Sequence, residues 1–298
     1  MSLINTKFVY TDLDDTIITS KKESKFLYKG QRYKDLFDVP AEVVEAFQKL
    51  IKKGIYTGIA TGRDYRKVYP LLASTDMFNL PTITDDGACV FINNKCVKAT
   101  FIDRSVINRF IKLAKKFKNI SYTINTPYGV YVSKNKSWWT LQDEFINEKY
   151  PNEMFKLRYV DLSKVTNFYN DQITAMTIST KPIALKPLTQ RETDFFIDLS
   201  NYGNVRVTKY KQDVVIRPNE SKASGIFWVK NNFNNKITKD NTICFGDNHN
   251  DVDMFKWSNL SVAVNNAKDV YKSFAKYLAD DCQNFGVAKF INQHLLED

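Results

Sequence analysis

The chain has 298 residues, of which 43% are hydrophobic and 26% are charged. This composition is ordinary for a globular protein, and no apolar run approaches the roughly 18 residues that a membrane-spanning helix needs. The formal net charge of +10 allows a nucleic acid or a small anion as partner, but the lysines are dispersed and no nucleic-acid-binding motif accompanies them. From the length we expect one large domain or two moderate ones. We expect no membrane partner, and we favour a small anion over a nucleic acid as partner.

The four cysteines form neither a CxxC pair nor a metal-ligand spacing with the two histidines; they are Cys89, Cys96, Cys244 and Cys282. Cysteines without such spacings usually act as small, buried hydrophobic residues in proteins of a reducing compartment. The N-terminus shows no basic start followed by an apolar stretch, which a secretory signal would have. These observations predict a cytoplasmic protein.

The first predicted strand, residues 8–11, ends in three carboxylates, Asp12, Asp14 and Asp15. A short apolar and β-branched run is typical of a buried strand, and the carboxyl ends of such strands are where open α/β sheets bind ligands. Asp12 and Asp14 are two residues apart, so like charges would share a face and need a cation such as Mg²⁺ or a shared proton. The alternative is a solvated acidic turn in which Asp15 or Thr16 caps a helix.

Two further strands follow an amphipathic helix that ends at Gly54. The strand at residues 55–60 stops at Thr61-Gly62-Arg63 and is followed by a predicted helix over residues 64–72. A hydroxyl and free N–H groups at a helix start favour an anion site, although an ordinary N-cap turn explains the pattern equally well. The next strand, residues 81–84, ends in Asp85-Asp86-Gly87-Ala88.

The pattern then changes to strands in hairpin style with two helices, at residues 105–117 and 188–199. Such a segment inside a βαβ framework predicts a separate α+β domain. We expect a discontinuous core at residues 1–88 and 214–298, with an inserted domain at residues 89–213. The predicted fold class is α/β, a Rossmann-like doubly wound parallel sheet with an inserted α+β domain.

The framework returns at residues 214–216, before a helix that starts at Lys222. A lysine at a helix start opposes the helix dipole, so it usually meets an anion or a carboxylate there. The strand at residues 242–245 then ends in Gly246-Asp247-Asn248-His249-Asn250-Asp251. If these strands are parallel neighbours, the polar groups at their ends converge on one edge.

Such a set of groups predicts phosphoryl transfer. One carboxylate can attack phosphorus to form an aspartyl-phosphate, and a second can protonate the leaving alcohol and then activate water. A hydroxyl, backbone N–H groups and a lysine can hold the phosphoryl oxygens while Mg²⁺ neutralises them.

Four motifs in order resemble those of the haloacid dehalogenase superfamily, and within it the Cof-type sugar phosphatases. The DxDGT motif resembles Asp12-Leu13-Asp14-Asp15-Thr16, and the Thr/Ser-Gly-Arg motif resembles Thr61-Gly62-Arg63. The helix-start lysine resembles Lys222, and GDxxND resembles residues 246–251. Each motif alone is weak, but the ordered set is specific.

The resemblance implies a role for each matched residue. Asp12 would be the nucleophile and a Mg²⁺ ligand, and Asp14 the general acid/base that lends its backbone carbonyl to the metal. Asp247 would be the main further metal ligand, supported by Asp251. The residues that would hold the phosphoryl group are Thr61, Gly62, Lys222 and Asn250. The inserted domain would be a cap that closes over the site and selects a small phosphorylated metabolite.

Two residues depart from the family pattern, since Asp15 replaces the commoner Gly and Asp86 the commoner Asn. Neither removes a catalytic group. The expected function is therefore a Mg²⁺-dependent phosphatase of small metabolites, sugar phosphates first. A phosphomutase, a nucleotide phosphatase or a pyridoxal phosphate phosphatase is the alternative, and a catalytically silent basic binding protein is the alternative from a different class.

Overall fold

The computed structural model describes residues 5–19, 26–28, 31–33, 39–117, 120–134, 138–150, 156–161, 172–179, 189–210 and 213–296. The chain divides into two compact units. The first unit comprises residues 1–98 and 221–298, and the second comprises residues 99–220. The divisions thus fall after residues 98 and 220, rather than after residues 88 and 213 as the sequence suggested. None of the described helices is long and apolar enough to cross a membrane.

The helices and strands are numbered here in chain order. Up to residue 99 they are β1 Phe8–Thr11, β2 Phe26–Tyr28, β3 Gln31–Tyr33, α1 Ala41–Lys52, β4 Tyr56–Ile59, α2 Tyr69–Ser74, β5 Thr82–Thr84, β6 Cys89–Ile92 and β7 Lys95–Ala99. Those of the second unit are α3 Arg104–Ala114, β8 Ser121–Thr126, β9 Gly129–Ser133, α4 Trp138–Lys149, β10 Lys156–Val160, β11 Ala175–Ser179, α5 Gln190–Ile197, β12 Val205–Tyr210 and β13 Asp213–Pro218. The remainder are α6 Lys222–Asn232, β14 Thr242–Gly246, α7 Val252–Trp257, β15 Leu260–Val264, α8 Asp269–Lys272, β16 Tyr277–Ala279 and α9 Gly286–Ile291.

A five-stranded sheet forms the centre of the first unit, in the order β16-β15-β14-β1-β4. All four strand pairs are parallel. Side chains of β1 alternate between two cores: Val9 packs with residues of α1 and α9, whereas Phe8 and Tyr10 pack with residues of α6 and α7. Because both faces are covered, every position of the strand is buried, which is why its sequence is almost continuously apolar. The predicted α/β class with a parallel sheet is confirmed.

The second unit contains a six-stranded sheet in the order β10-β9-β8-β11-β13-β12. Its pairs are antiparallel apart from β9 with β10. Side chains of α3 and α5, such as Phe110 and Phe196, pack in one hydrophobic cluster with strand residues such as Ile124 and Ile216. These are the helices expected at residues 105–117 and 188–199; residue 188 lies outside the described part of the chain.

Two strands lie in other sheets than the sequence suggested. The strand at residues 214–216 is part of β13, which pairs antiparallel with β11 and β12 in the second unit instead of returning to the parallel sheet. Its alternating burial fits an antiparallel strand. β5 belongs to a separate three-stranded sheet with β6 and β7, and a parallel bridge between Ala60 and Ile83 connects it to the end of β4.

Candidate active site

Asp12 directly follows β1, and the central sheet holds it in place. Its N–H donates to the carbonyl oxygen of Phe245 at 3.0 Å, so the pairing with β14 continues past the last strand residue. The residue is 5% exposed, and Oδ1 lies 2.7 Å from Nζ of Lys222. Burial raises the pKa of Asp12 to about 7, although Lys222 opposes the rise. The predicted nucleophile is thus a buried carboxylate at the carboxyl end of a central strand.

Lys222 is the first residue of α6 and is 0% exposed. Ser221 caps the helix: its hydroxyl accepts from the N–H of Ser224 at 3.2 Å, and the Ser224 hydroxyl accepts from the N–H of Ser221 at 3.0 Å. Nζ of Lys222 donates to Oδ1 of Asp251 at 2.6 Å as well as to Asp12. Burial alone would lower the pKa of Lys222, but these carboxylates raise it, so the side chain stays an ammonium. The contacts explain why a lysine stands at this helix start.

The loop after β14 is organised by Asp251. Oδ2 of Asp251 accepts from the backbone N–H groups of Asp247 and Asn248, both at 2.9 Å, while Oδ1 accepts from the lysine. The preceding Gly246 leaves room for this carboxylate, because a Cβ there would lie 2.4 Å from Cγ of Asp251. Thr16 connects the first loop to this one through a hydrogen bond from Oγ1 to Oδ1 of Asp247 at 3.3 Å.

Three carboxylates could hold a metal ion: ligand oxygens of Asp12, Asp247 and Asp251 lie within 4.8 Å of one another. Burial, and then the charges of Asp12 and Asp251, raise the pKa of Asp247 to about 9. Crowded carboxylates of this kind gain from a nearby cation, and a set of hard oxygen donors suits Mg²⁺. The residues therefore fit the predicted cofactor.

The carboxylate of Asp14 lies outside this group and binds Arg63 instead. Nε of Arg63 donates to Oδ2 at 2.8 Å and Nη2 donates to Oδ1 at 2.7 Å, a two-point contact. The Asp14 side chain is 46% exposed, whereas that of Arg63 is 7% exposed. Burial acts to raise the pKa of Asp14, but Arg63 holds it below its usual value. Asp12 and Asp14 thus each have their own cation, which lessens the repulsion expected from their spacing.

Arg63 is the site residue that sequence reasoning missed. It was part of the Thr61-Gly62-Arg63 pattern, but no role was attached to it. The signal was its fixed position directly after Thr-Gly; the contact to Asp14 joins residues 49 positions apart, so only the fold shows it.

The predicted phosphate-binding residues Thr61 and Asn250 are connected through Asp86. The N–H of Asp86 donates to the carbonyl oxygen of Thr61 at 3.0 Å, and Nδ2 of Asn250 donates to Oδ1 of Asp86 at 2.8 Å. Oγ1 of Thr61 accepts from the N–H of Arg63 at 3.2 Å. The helix predicted over residues 64–72 begins instead as a 3-10 turn at Tyr65–Lys67, with α2 after it.

Both departures from the family pattern occupy left-handed backbone. Asp15 has φ 57° and Asp86 has φ 54°, a region open to Gly and, among other residues, best tolerated by Asn and Asp. The carbonyl oxygen of Asp15 accepts from Nδ2 of Asn266 at 2.7 Å. Asp15 thus fits where Gly is commoner because the backbone, rather than the side chain, sets the requirement.

Among the described residues, no cysteine or histidine belongs to the group that could hold a metal ion. Cys89, Cys244 and Cys282 are buried and Cys96 is half-buried, and all four are free thiols. His249 is exposed in the loop after β14.

Comparison with known proteins identifies the family. The haloacid dehalogenase-like hydrolase family matches residues 9–291. The protein named "Putative phosphatase MG263" of Mycoplasma genitalium is 33% identical over 97% of this chain and 98% of its own length. A haloacid dehalogenase-like hydrolase from Bacteroides thetaiotaomicron has the same fold, with a TM-score of 0.74, 18% identity and coverage of 97% of this chain and 99% of that one.

A second solved structure, the subclass IIB sugar phosphatase BT4131, aligns with a TM-score of 0.69 and 18% identity over 96% of this chain and 98% of its own. At this identity the likeness concerns the fold. The family match spans residues 9–291. The alignment with the relative from Mycoplasma genitalium covers 97% of this chain. The chain belongs to the haloacid dehalogenase-like hydrolase family, and the predicted family and enzyme class are confirmed.

Proposed function

We propose that this enzyme is a Mg²⁺-dependent phosphatase that cleaves phosphate monoesters of small metabolites, sugar phosphates first, through an aspartyl-phosphate on Asp12. The observation that carries the proposal is the buried group of Asp12, Lys222 and Asp251 at the end of β1, with Asp247 beside it. This group brings a carboxylate, a buried ammonium and several potential metal-ligand oxygens close together.

In the first step, Oδ of Asp12 attacks phosphorus while the bond from phosphorus to the leaving oxygen breaks. Asp14 donates a proton to that oxygen, which leaves as an alcohol. In the second step Asp14 takes a proton from water, whose oxygen attacks phosphorus and releases Asp12 and inorganic phosphate. The pKa of Asp14 is lowered beside Arg63, which favours the basic form that the second step requires. Before the first step Asp14 must take up a proton, from water in the preceding turnover or from solvent, and it is this proton that passes to the leaving oxygen.

The remaining predicted residues hold the phosphoryl group. Lys222 offers an ammonium with three N–H donors, of which Asp12 and Asp251 take two. Thr61, Gly62 and Asn250 are proposed to donate to the other phosphoryl oxygens. When bound by Asp12, Asp247, Asp251 and the backbone carbonyl of Asp14, Mg²⁺ would neutralise charge that develops on the phosphoryl oxygens.

The two units have separate proposed roles. Residues 1–98 and 221–298 contain every residue named above and are proposed to form the catalytic core. Residues 99–220 are proposed to be a cap that excludes water and selects the metabolite. A core in which a short linker replaces residues 99–220 should then retain phosphate release from small aryl phosphates while losing discrimination among metabolites.

The first experiment is phosphate release from sugar phosphates, nucleotides, pyridoxal phosphate and p-nitrophenyl phosphate, with Mg²⁺ or with a chelator. Asp12→Asn, which keeps the shape of the side chain and removes the nucleophile, is the matched variant. Metal-dependent release that disappears in the folded variant supports the proposal. Release by the variant at the wild-type rate would exclude Asp12 as nucleophile.

The same panel separates the alternatives. A phosphomutase would convert a sugar phosphate to its isomer without releasing phosphate, and product analysis would show it. A binding protein would turn over none of the substrates with or without Mg²⁺, and its affinity for nucleic acid would fall steeply with salt.

A further inference from the structure

Asp86 lies where three loops of the first unit meet. It contacts the loop after β4 through its N–H, which donates to Thr61, and the loop after β14 through its carboxylate, which accepts from Asn250. The next residue, Gly87, packs against the start of α6, since a Cβ there would lie 1.9 Å from the carbonyl oxygen of Ser221. Asp86 itself is 7% exposed, so its carboxylate is largely shielded from water.

The carboxylate of Asp86 also acts on Lys222. After Asp12 and Asp251, it is the third group whose charge raises the pKa of that lysine. Unlike those two, it is not among the oxygens grouped around the candidate metal position. It therefore adds negative charge beside the proposed phosphate-binding residues without serving as nucleophile, acid/base or metal ligand.

We propose that the Asp86 carboxylate limits how tightly this site holds phosphate, and so favours release of the inorganic phosphate product. The inference rests on the proposed phosphatase function and adds a determinant of anion affinity to it. A charge that is shielded from water acts more strongly on a neighbouring anion than an exposed one, because the surrounding dielectric is lower. Phosphate is a dianion or monoanion near neutral pH, so it meets this charge whichever metabolite delivered it.

If Asp86 acts only through its charge, removing that charge should strengthen the binding of anions and weaken the binding of cations. Asp86→Asn keeps an oxygen that can accept from Asn250 and suits the left-handed backbone, but removes the charge. Phosphate should then bind about tenfold more tightly, the scale of a buried unit charge in a screened site. Mg²⁺, measured without phosphate, should bind more weakly. A variant that merely loosened the loops would weaken both.

The test is calorimetric titration of the full chain with inorganic phosphate at saturating Mg²⁺, and with Mg²⁺ alone. The proteins are the wild type, Asp86→Asn, Asp86→Ser as a second neutral variant, and Asp85→Asn. Asp85 is the matched control, since it is a buried neighbour in the same left-handed turn. Urea unfolding verifies that each variant is folded, and the inhibition constant of phosphate in the hydrolysis assay gives an independent affinity.

Tighter phosphate and weaker Mg²⁺ in either folded Asp86 variant, with Asp85→Asn close to the wild type, support the proposal. Unchanged or weaker phosphate binding in every folded Asp86 variant, while the wild type hydrolyses phosphate esters, overturns it and leaves the phosphatase function standing. A wild type that neither binds phosphate nor hydrolyses any ester overturns the proposed function itself, and the inference with it.

Discussion

Replacing Lys222 with methionine tests the central ion group most directly. Methionine is an unbranched side chain that fills much of the same space but carries no charge. It would leave Asp12 and Asp251, which are buried and lie 2.7 and 2.6 Å from the ammonium in the wild type, without their shared cation. Removing one partner of a buried ion pair costs about 3–5 kcal/mol, and here two carboxylates lose the same partner. We expect the free energy of unfolding at pH 8 to fall by an amount in the upper part of that range.

The stability penalty of Lys222→Met should depend on pH, and the pKa of Asp12 determines in which direction. Burial already raises the pKa of Asp12 in the folded state to about 7, against about 3.9 in an unfolded chain, and loss of Lys222 raises it further. A carboxyl group with a raised folded pKa contributes stability below its unfolded pKa, and that stability is lost as pH rises through the folded pKa. The penalty of Lys222→Met should therefore be smaller at pH 5 than at pH 8.

The assay is urea unfolding followed by circular dichroism in the presence of a chelator, at pH 5 and pH 8. Lys230→Met is the control, a half-buried lysine in the last turn of the same helix, and it should change stability by at most about 0.5 kcal/mol. The double variant Asp12→Asn/Lys222→Met should recover part of the lost free energy of unfolding, because one uncompensated buried charge disappears. A penalty below about 1 kcal/mol at pH 8, or one that grows as pH falls, would refute the reasoning.

Three further predictions concern single side chains of the first unit. Arg63→Met should lower kcat/KM at least tenfold for alkyl phosphates, which need a positioned acid, and much less for p-nitrophenyl phosphate; equal losses would argue against a role through Asp14. Asp64→Asn should reduce stability at neutral pH: Lys67 lies 3.1 Å away, and it and Arg66 outweigh burial and lower the pKa of Asp64. That contribution is present above the unfolded pKa and is lost as pH falls through the folded pKa, so urea unfolding of the variant and wild type should converge in acid. Gly246→Ala should impair folding or Mg²⁺ affinity, because its Cβ would meet Asp251; unchanged urea stability together with normal calorimetric Mg²⁺ binding would contradict this.

Local pattern was sufficient for β1, β4 and β14 of the central sheet and for the acidic residues that follow β1 and β14. The runs at residues 8–11 and 242–245 are largely apolar because both faces of a parallel strand are covered, and this leaves a clear signal in sequence. The left-handed backbone at Asp15 and Asp86 could also have been anticipated, since Gly and Asn are the commoner residues there.

The strand at residues 214–216 shows what local pattern leaves open. It has the β-branched composition of a central strand, yet it pairs with β11 and β12 in the second unit. Composition indicates that a segment is extended, but the choice of partner depends on contacts with residues distant in sequence. For the same reason the division of the chain was expected before this strand and lies after it, at residue 220.

The sequence by itself determined which chemistry is available: carboxylates after parallel strands, a lysine at a helix start and an acidic loop after Gly246. Tertiary structure decided which of these groups contact one another. Lys222 forms ion pairs with both Asp12 and Asp251, Arg63 binds Asp14, and Asn250 donates a hydrogen bond to Asp86. The physical reason is that an ion pair or hydrogen bond needs two groups within about 3 Å, and residues separated by 29 to 210 positions reach that distance only when the sheet, helices and loops have packed.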